Sequence, residues 1–363
     1  MGAAPDRVDI VALPGDGIGR EVMEPAQTLV SAAAAQEGVQ LRWQQRNWSC
    51  DRYVAQGAMM PEDALEDLEA FDAIFLGAVG RPDVPDHISL WGMLIPIRRR
   101  FHQYVNLRPV RSFAGIASPL RPEVLGTFDV LVVRENVEGE YSEVGGRVYS
   151  GRPEELAIQE SVFTRAGVER VVRAGFDAAA GRRGVLTSAT KSNGLVHSMP
   201  FWDEIVAEVA EEHPGVEVAS MHIDALAAAC VSRPSTLDVI VGSNLFGDIM
   251  SDLTAAVAGS LGIAPSANLS LGGDGPSMFE PVHGSAPDIA GKGVANPIGQ
   301  VWSGALMLRD LGLERAHDTL LSAIEQLLSS TDVRTADLGG SASTEEVAST
   351  LESLLAPAGT SRS

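Results

Sequence analysis

The sequence contains very little lysine. Only two of its 27 basic residues, Lys191 and Lys292, are lysines, and the others are arginines. Arginine keeps its proton in proteins, whereas the pKa of a buried lysine can fall far enough for the amine to act as a base. The two lysines could be an accident of composition. Lys191, however, directly follows a short apolar segment, and we favour the interpretation that it performs chemistry that arginine cannot.

Cysteine and long apolar runs are also scarce. Cys50 and Cys230 are the only cysteines, which argues against a disulfide framework or a cysteine-only metal site and indicates a reducing compartment. The sequence has no apolar run of about 18 residues and no basic N-terminal segment followed by an apolar core. We therefore expect a soluble, cytoplasmic protein with no membrane partner.

The balance of charge excludes another class of partner. The formal net charge is −21 at pH 7, so nucleic acid and anionic membranes would repel the chain. A small anionic substrate would need a local cluster of positive charge.

The order of apolar and amphipathic segments predicts an α/β protein. At 363 residues and roughly 150 residues per domain, about two domains are expected. Short apolar segments alternate with longer amphipathic ones, as in proteins with a largely parallel sheet. Strands are predicted at Val8–Leu13, Asp72–Val79, Phe128–Val133, Arg183–Ser188, Val216–His222 and Leu237–Ser243. Helices are predicted at Glu21–Gln36, Pro61–Ala70, Arg165–Ala180, Met199–Glu212, Asp248–Leu261, Ile298–Leu311 and Leu313–Leu328.

The segment from Tyr141 to Val162 has a different pattern. Polar and apolar residues alternate around Gly145-Gly146, which predicts a β-hairpin arm. Such arms are a common means of dimerisation. The last residues, 356–363, are expected to fray.

Three aspartates follow predicted strands. Asp248 and Asp252 are four residues apart at the start of a predicted helix, so both carboxylates project from one helical face. Like charges at this spacing repel each other unless a cation neutralises them, and Mg²⁺ or Mn²⁺ prefers oxygen ligands. Asp224 supplies a third carboxylate. The alternative is a solvated helix face whose acids are favoured by the helix dipole.

Arginines provide the positive charge that an anionic substrate needs. Arg98–Arg100 end an apolar helical segment, and successive helical residues lie ~100° apart, so these three cannot all face one site. Arg108 and Arg134 end extended segments. An arginine at the end of an apolar strand is well placed to bind a carboxylate through two hydrogen bonds.

The glycine-rich segment Pro14–Gly19 follows the first predicted strand. It is a weak signal for a phosphate-binding turn because it lacks the G-x-G-x-x-G pattern. A tight turn between a strand and a helix explains it equally well.

Taken together, these segments resemble the β-decarboxylating dehydrogenases, which include isopropylmalate, isocitrate, homoisocitrate and tartrate/D-malate dehydrogenases. The resemblance runs from about Ile10 to Leu311. It is carried by four motifs, Leu13–Gly19, Asn106–Pro109, Asn244–Asp252 and Glu280–Lys292. Several long motifs in the order of the family leave little room for coincidence.

The resemblance implies an isopropylmalate-dehydrogenase-like two-domain fold, distinct from the Rossmann dinucleotide fold. Residues 1–103 and 260–363 would form the cofactor-binding domain, and residues 104–259 a central domain with the dimer interface and the arm. The resemblance also implies a homodimer whose active sites are shared between subunits.

The same resemblance implies roles for individual residues. The catalytic groups would be the base Lys191, the general acid Tyr141 and Asp224, with Lys191 and Asp224 supplied by the partner subunit. The metal ligands for Mg²⁺ or Mn²⁺ would be Asp224, Asp248 and Asp252. The substrate, a small dicarboxylate, would be bound by Arg98, Arg108 and Arg134, with Trp91 and Leu94 nearby.

The resemblance further implies a dinucleotide cofactor. Its contacts would be Asn193, Glu280, His283, Gly284, Ser285, Ala286, Asp288 and Asn296. Family members that use NADP carry Lys and Tyr where this chain has Asp288 and Ile289, and a carboxylate would repel a 2′-phosphate, so the expected cofactor is NAD. A need for a monovalent cation such as K⁺ stays open.

These roles give Lys191 a task that arginine could not perform. It would accept the proton of the substrate 2-hydroxyl while hydride leaves C2 for NAD, and Tyr141 would protonate C3 after decarboxylation.

The choice of substrate depends on the segment around Trp91. Asp86–Gly92 and Tyr104–Val110 look like the tartrate/D-malate dehydrogenases, and Trp91 could fill the space that isopropylmalate enzymes leave for the isopropyl group. Alternatively, Trp91 packs into the core and the substrate is 3-isopropylmalate. A non-catalytic regulatory paralogue is the third interpretation, but Lys191, Tyr141 and the three aspartates are all present.

Overall fold

The computed structural model describes residues 6–273 and 275–355. The tail predicted at 356–363 lies outside these residues. The strands are β1 (Arg7–Gly15), β2 (Gln40–Gln45), β3 (Ala73–Ala78), β4 (Val105–Arg111), β5 (Asp129–Glu135), β6 (Gly145–Val148), β7 (Leu156–Gln159), β8 (Val185–Thr190), β9 (Glu217–His222), β10 (Val239–Gly242), β11 (Pro265–Leu269) and β12 (Ser277–Pro281).

The α-helices are α1 (Gly19–Ala35), α2 (Cys50–Gln56), α3 (Ala64–Leu68), α4 (Asp86–Ser89), α5 (Ile95–Arg100), α6 (Pro122–Leu125), α7 (Arg165–Ala180), α8 (Ser198–Glu212), α9 (Ile223–Ser232), α10 (Asn244–Ala258), α11 (Ile298–Asp310), α12 (Glu314–Ser330) and α13 (Thr344–Leu355). A π-helical turn, Leu90–Leu94, joins α4 to α5. Among the described residues, no helix is both long enough and apolar enough to cross a membrane.

The first of two compact units contains residues 6–102, 111–119, 258–273 and 275–355. Its strands are ordered β2-β1-β3-β12-β11. β1 is parallel to both β2 and β3, β12 is parallel to β3, and β11 runs antiparallel to β12. The predicted α/β class with a mainly parallel sheet is therefore confirmed for this unit.

Helices cover the sheet of the first unit closely. Every residue of β3 is buried, as expected for a parallel strand with helices on both faces. α1 and α11 contact each other at Gly304, where a Cβ atom would lie 2.3 Å from Cγ2 of Val30. Only a glycine permits this close approach, because any side chain would push the two helices apart.

The second unit contains residues 103–110 and 120–257. Its strands are ordered β4-β5-β10-β8-β9, and β10 is parallel to β5 and β8, as is β9 to β8. α7 packs on β5 and β10. Since the strands run in the same direction, the carboxyl ends of β5, β8 and β10 lie at one edge, where α/β proteins place their functional groups.

The predicted hairpin is present in the second unit. β6 and β7 are antiparallel, with Gly145 opposite Gln159. The large apolar side chains on and beside this hairpin are exposed, namely those of Val144, Val148, Tyr149, Leu156 and Ile158. The hairpin is thus confirmed, whereas its use as a dimerisation arm stays a prediction.

Several boundaries differ from the predicted ones. α7 spans the predicted residues, Arg165–Ala180. The helix predicted at Asp248–Leu261 begins at Asn244 and ends at Ala258, because Gly259 leaves the helical conformation with φ +115°. The elements that the sequence pattern did not predict include β2, β4, β11, β12, α9 and α13.

Candidate active site

Arg134 and α10 form the centre of a charged cluster in the second unit. Arg134 is the next-to-last residue of β5 and is 3% exposed. Its Nε and Nη2 donate to Oδ1 of Asn244 at 3.2 and 2.8 Å, and its Nη1 donates to Oδ1 of Asp248. Gly247 permits this approach, since a Cβ there would lie 2.6 Å from Cβ of Arg134. The first turns of α10 therefore hold the guanidinium in one orientation.

Arg108 on β4 approaches the same carboxylate. Its Nε donates to Oδ1 of Asn106 at 2.9 Å, and its Nη1 donates to Oδ1 of Asp248 at 3.1 Å and to Oγ of Ser251 at 2.7 Å. Oδ1 of Asp252 lies 3.8 Å from the same Nη1. Two guanidiniums thus converge beside two carboxylates, so the charges balance within the cluster, and the arginines place hydrogen-bond donors that suit a carboxylate group.

Tyr141 belongs to the same cluster. Its hydroxyl donates to Oδ2 of Asp248 at 3.2 Å, and the guanidinium of Arg134 lies 5.6 Å from the centre of its ring. Burial and the negative charge of Asp248 raise the pKa of the Tyr141 phenol, although Arg134 opposes the shift. The phenol therefore keeps its proton at neutral pH and can donate it.

Asp248 and Asp252 present carboxylate oxygens from one face of α10, as their spacing predicted. The Asp252 side chain is 60% exposed. Burial and the neighbouring Asp248 raise the pKa of Asp252, while Arg108 lowers it. Two adjacent hard oxygen donors fit a divalent ion such as Mg²⁺ or Mn²⁺. Among the described residues, however, no three side chains of His, Cys, Asp or Glu gather to hold a metal, so Asp224 does not join the other two aspartates within this chain.

Lys191 and Asp224 form a separate pair in the second unit. Lys191 follows β8, and Asp224 lies in the first turn of α9. Nζ of Lys191 donates to Oδ1 of Asp224 at 2.7 Å, and this hydrogen bond lowers the pKa of the Asp224 carboxyl. The Asp224 side chain is 69% exposed. Asn193 is exposed in the turn that follows Lys191.

In the first unit, Arg98 is paired with Glu280. Nη2 of Arg98 donates to Oε1 of Glu280 at 2.9 Å, and both side chains are buried. The same Oε1 accepts a hydrogen bond from Nδ2 of Asn268 at 2.9 Å. Nε of Arg98 is buried and has no hydrogen-bond partner in the described part of the chain. Arg98 therefore keeps a donor that an incoming carboxylate could engage.

Trp91 and Leu94 lie on the π-helical turn of the first unit. Both are half-buried. The guanidinium of Arg99 lies 5.1 Å from the centre of the Trp91 ring. Leu94 packs against a core cluster that includes Met93 and Ile97.

The predicted cofactor segment follows β12 in the first unit. Asp288 and Gly284 are exposed, whereas Ser285 is buried. Ala286 has φ +39°, and Nδ1 of His283 lies 3.0 Å from the carbonyl oxygen of Gly284. Nε2 of His283 is buried and has no partner among residues 6–273 and 275–355. The unpartnered ring nitrogen of His283 and the exposed carboxylate of Asp288, which lie in one segment, are polar groups that fit a dinucleotide.

Asn296 and the glycine-rich turn support this segment. Nδ2 of Asn296 donates to Oδ2 of Asp337 at 3.0 Å, and its Oδ1 accepts from the backbone N–H of Ile298 at 3.0 Å. A Cβ at Gly17 would lie 2.0 Å from the carbonyl oxygen of Ser285. The glycine-rich turn is thus built to pack against the cofactor segment.

Sequence reasoning missed the polar residues that orient the cluster. Asn106 and Ser251 hold Arg108, and Asn244 holds Arg134. Asn106 and Asn244 lie inside the motifs that carry the family resemblance, and this location could have marked them as residues of the site. The sequence alone does not indicate which arginine each of them contacts.

The α/β fold and the charged cluster are typical of an enzyme that acts on a small anionic substrate, and the comparisons with known proteins identify its family. The family model described as isocitrate/isopropylmalate dehydrogenase matches residues 9–351. The chain belongs to this family, and the predicted resemblance and fold are confirmed. Dehydrogenases of this family generally use NAD and a divalent metal ion and are typically dimeric.

Individual relatives and a solved structure are similar to this chain over most of its length. The chain is 53% identical over 341 residues to a probable tartrate dehydrogenase/decarboxylase of Bacillus subtilis (strain 168), with 93% of this chain and 95% of the relative covered. It is 54% identical over 347 residues to the D-malate dehydrogenase [decarboxylating] of Escherichia coli (strain K12), covering 93% and 96%. The crystal structure of isocitrate dehydrogenase from Methylococcus capsulatus has a TM-score of 0.86 at 31% identity, covering 96% of this chain and 99% of that one.

Proposed function

We propose that this protein catalyses the NAD-dependent oxidation and decarboxylation of a small 2-hydroxy dicarboxylate, D-malate or tartrate. The observation that carries the proposal is the cluster in which Arg108, Arg134 and Tyr141 surround Asp248. It combines positive charge for carboxylates, a protonated phenol and a carboxylate face for a metal ion. The names of the relatives from Bacillus subtilis and Escherichia coli support the choice of substrate.

The arginines bind and orient the substrate. Arg98, Arg108 and Arg134 engage its two carboxylates, and charge-assisted hydrogen bonds from guanidinium groups fix both position and angle. Arg134 is buried and held by Asn244, so little side-chain freedom is lost when it binds. The substrate then lies in one orientation relative to Tyr141.

Two protons move through this chain's own side chains. Lys191 takes the proton of the 2-hydroxyl as the C2 hydride leaves, which yields a 2-keto acid. The bond between C3 and its carboxylate then breaks with release of CO2, and its electron pair forms an enolate. Tyr141 donates its hydroxyl proton to C3. When bound, NAD accepts the hydride, and Mg²⁺ or Mn²⁺ held by Asp224, Asp248 and Asp252 polarises the hydroxyl and carbonyl oxygens.

We further propose a homodimer in which Lys191 and Asp224 act in the active site of the other subunit. Two observations support it. Asp224 does not gather with the other aspartates among the described residues of one chain, and the β6–β7 hairpin exposes apolar side chains such as Val148 and Ile158. A surface of this kind is typical of a subunit interface. The cofactor-binding part is then residues 1–103 and 260–363, and residues 104–259 form the central, dimerising part.

Asp288 supports NAD rather than NADP as the cofactor. Its carboxylate is exposed in the segment proposed to bind the dinucleotide. It can accept a hydrogen bond from a ribose hydroxyl, whereas it would repel a 2′-phosphate. Glu280, His283, Gly284, Ser285, Ala286, Asn296 and Asn193 are the other proposed contacts.

The test is NADH formation with Mn²⁺ on D-malate, L-tartrate, meso-tartrate, 3-isopropylmalate and isocitrate. We expect D-malate or a tartrate to be preferred, and Lys191→Met to lower kcat by the ~10²–10⁴-fold that a general base contributes. Lys292→Met removes the only other lysine and serves as the matched control. A preference for 3-isopropylmalate, or full activity of Lys191→Met, would contradict the proposal.

A further inference from the structure

Glu140 connects the segment that carries Tyr141 to the first turn of α10. Its Oε1 accepts a hydrogen bond from Oγ of Ser243 at 2.7 Å, and its Oε2 accepts one from the backbone N–H of Leu245 at 3.1 Å. The first N–H groups of a helix have no partner inside the helix and carry partial positive charge. A carboxylate at this position therefore makes strong charge-assisted hydrogen bonds, and Glu140 uses both of its oxygens to do so.

Tyr141 is the next residue, and it contacts the same helix one turn later. Its hydroxyl donates to Oδ2 of Asp248 at 3.2 Å, which is near the upper limit for a hydrogen bond. Nδ2 of Asn244 also donates to the carbonyl oxygen of Glu138 at 3.1 Å. The segment is thus attached to the start of α10 at Glu138 and at Glu140, the two residues on either side of residue 139. A small shift of this segment would take the phenol out of reach of Asp248.

We propose that Glu140 is a positioning residue for Tyr141, because its two hydrogen bonds to the start of α10 hold the phenol beside Asp248. The inference rests on the proposed function, in which Tyr141 protonates C3. In this role Glu140 acts through Tyr141, since both of its carboxylate oxygens are engaged by Ser243 and Leu245. Since proton transfer needs the donor within hydrogen-bond reach of the reacting atom, loss of this anchor lowers kcat and leaves substrate binding by the arginines intact.

The chain offers a matched control two residues away. The carboxylate of Glu138 accepts hydrogen bonds from the backbone N–H and the hydroxyl of Thr164, at 3.1 and 3.0 Å, at the start of α7. Glu138→Gln therefore disturbs a helix start from the same segment without loosening the anchor on α10. A general effect of helix capping would appear in both Glu138→Gln and Glu140→Gln.

The kinetic test compares Glu140→Gln, Glu140→Asp and Glu138→Gln on D-malate. For Glu140→Gln we expect kcat to fall about tenfold, less than the ~10²–10⁴-fold lost with a general acid itself. KM should stay within about twofold, because the substrate carboxylates are bound by other residues. Glu140→Asp, which keeps the charge, should recover part of kcat, and Glu138→Gln should match wild type. An equal loss in Glu138→Gln, or an unchanged kcat in Glu140→Gln, would overturn the inference.

A crystal structure of Glu140→Gln gives a readout that is independent of activity. We expect the Tyr141 hydroxyl to leave Asp248 in the variant and to remain beside it in Glu138→Gln. A Tyr141–Asp248 hydrogen bond retained in Glu140→Gln overturns the positioning role. If the wild-type enzyme oxidises none of the dicarboxylates, the proposed function fails, but the position of Tyr141 in the two crystal structures still decides whether Glu140 holds it.

Discussion

Arg98 and Glu280 form a buried ion pair, 2.9 Å long, between a helix end and a strand end that are 182 residues apart in sequence. Arg98 lies in the last turn of α5 and is predicted to bind substrate, and Glu280 begins the segment predicted to bind the dinucleotide. The pair therefore connects the two functions within one unit. Asn268 also donates to Glu280, so the carboxylate is well compensated as long as Arg98 is present.

Breaking this pair from one side should destabilise the protein. Arg98→Met leaves the buried Glu280 carboxylate with Asn268 alone, which is expected to cost about 3–5 kcal/mol of the free energy of unfolding. The double variant Arg98→Met/Glu280→Leu should recover most of this loss, because no unpaired charge stays buried. Urea unfolding of the wild type, Arg98→Met, Glu280→Leu and the double variant, without substrate or cofactor, measures the coupling energy between the two side chains. A double variant no more stable than Arg98→Met would show that the pair does not account for the loss.

The proposed sharing of active sites predicts complementation between two inactive variants. Lys191→Met lacks the base, and Tyr141→Phe lacks the acid. In a mixed dimer, one site combines an intact Tyr141 with the partner's intact Lys191, while the other site lacks both. Equal mixing with subunit exchange should restore about a quarter of wild-type activity, since about half of the dimers are mixed and each has one of two sites intact.

Two controls make the complementation decisive. Lys191→Met mixed with Lys191→Met/Tyr141→Phe should stay inactive, because no site regains the base. The size of the particles, measured by light scattering, should correspond to a dimer throughout. Dimers that exchange subunits without regaining activity would place Lys191 and Tyr141 in the same subunit's site.

The sequence pattern was sufficient to predict an element where that element is regular and amphipathic. The apolar spacing predicted α7 with the bounds that the structure has, and the spacing of Asp248 and Asp252 placed both on one helical face. It failed at β2, Gln40–Gln45, which lies at an edge of the strand order and is only half-buried, so its polar residues hide the strand. In β11, Pro265 and Asn268 are residue types that are uncommon in strands, so the sequence pattern did not predict this strand either.

Contacts between distant elements could not be predicted from spacing. Lys191 meets Asp224 because β8 and β9 are neighbours in the sheet, with Thr190 opposite His222. Strand order is a property of the whole fold, and no local pattern encodes it. The family resemblance identified the residues of the site, whereas the pairing of Lys191 with Asp224 required coordinates.

Trp91 should determine which substituent on C3 the enzyme accepts. If its ring fills the space beside C3, Trp91→Ala should raise kcat/KM for 3-isopropylmalate relative to D-malate by at least about tenfold, since pocket contacts with one or more methylene groups are worth ~1–3 kcal/mol. Trp43→Ala removes another half-buried tryptophan, one bonded to Ser31, and is the control. A ratio that does not change would mean that Trp91 serves packing with Arg99 alone.

Glu135 should make the stability of the protein depend on pH in a direction opposite to that of most carboxylates. Its side chain is fully buried at the end of β5, and burial raises its pKa to about 7 although the backbone N–H groups of Val137 and Glu138 oppose the shift. Because the folded-state pKa lies above the unfolded value of 4.5, the folded state binds the proton more tightly. The resulting stabilisation is complete below pH 4.5 and is lost as the pH rises through about 7.

Relative to Glu135→Gln, which does not titrate, the wild-type free energy of unfolding should therefore fall by about 3 kcal/mol over this range. Urea unfolding at a series of pH values measures the difference, and Glu123→Gln, which removes an exposed carboxylate, is the control. A difference that is constant with pH would show that folding does not raise the pKa of Glu135.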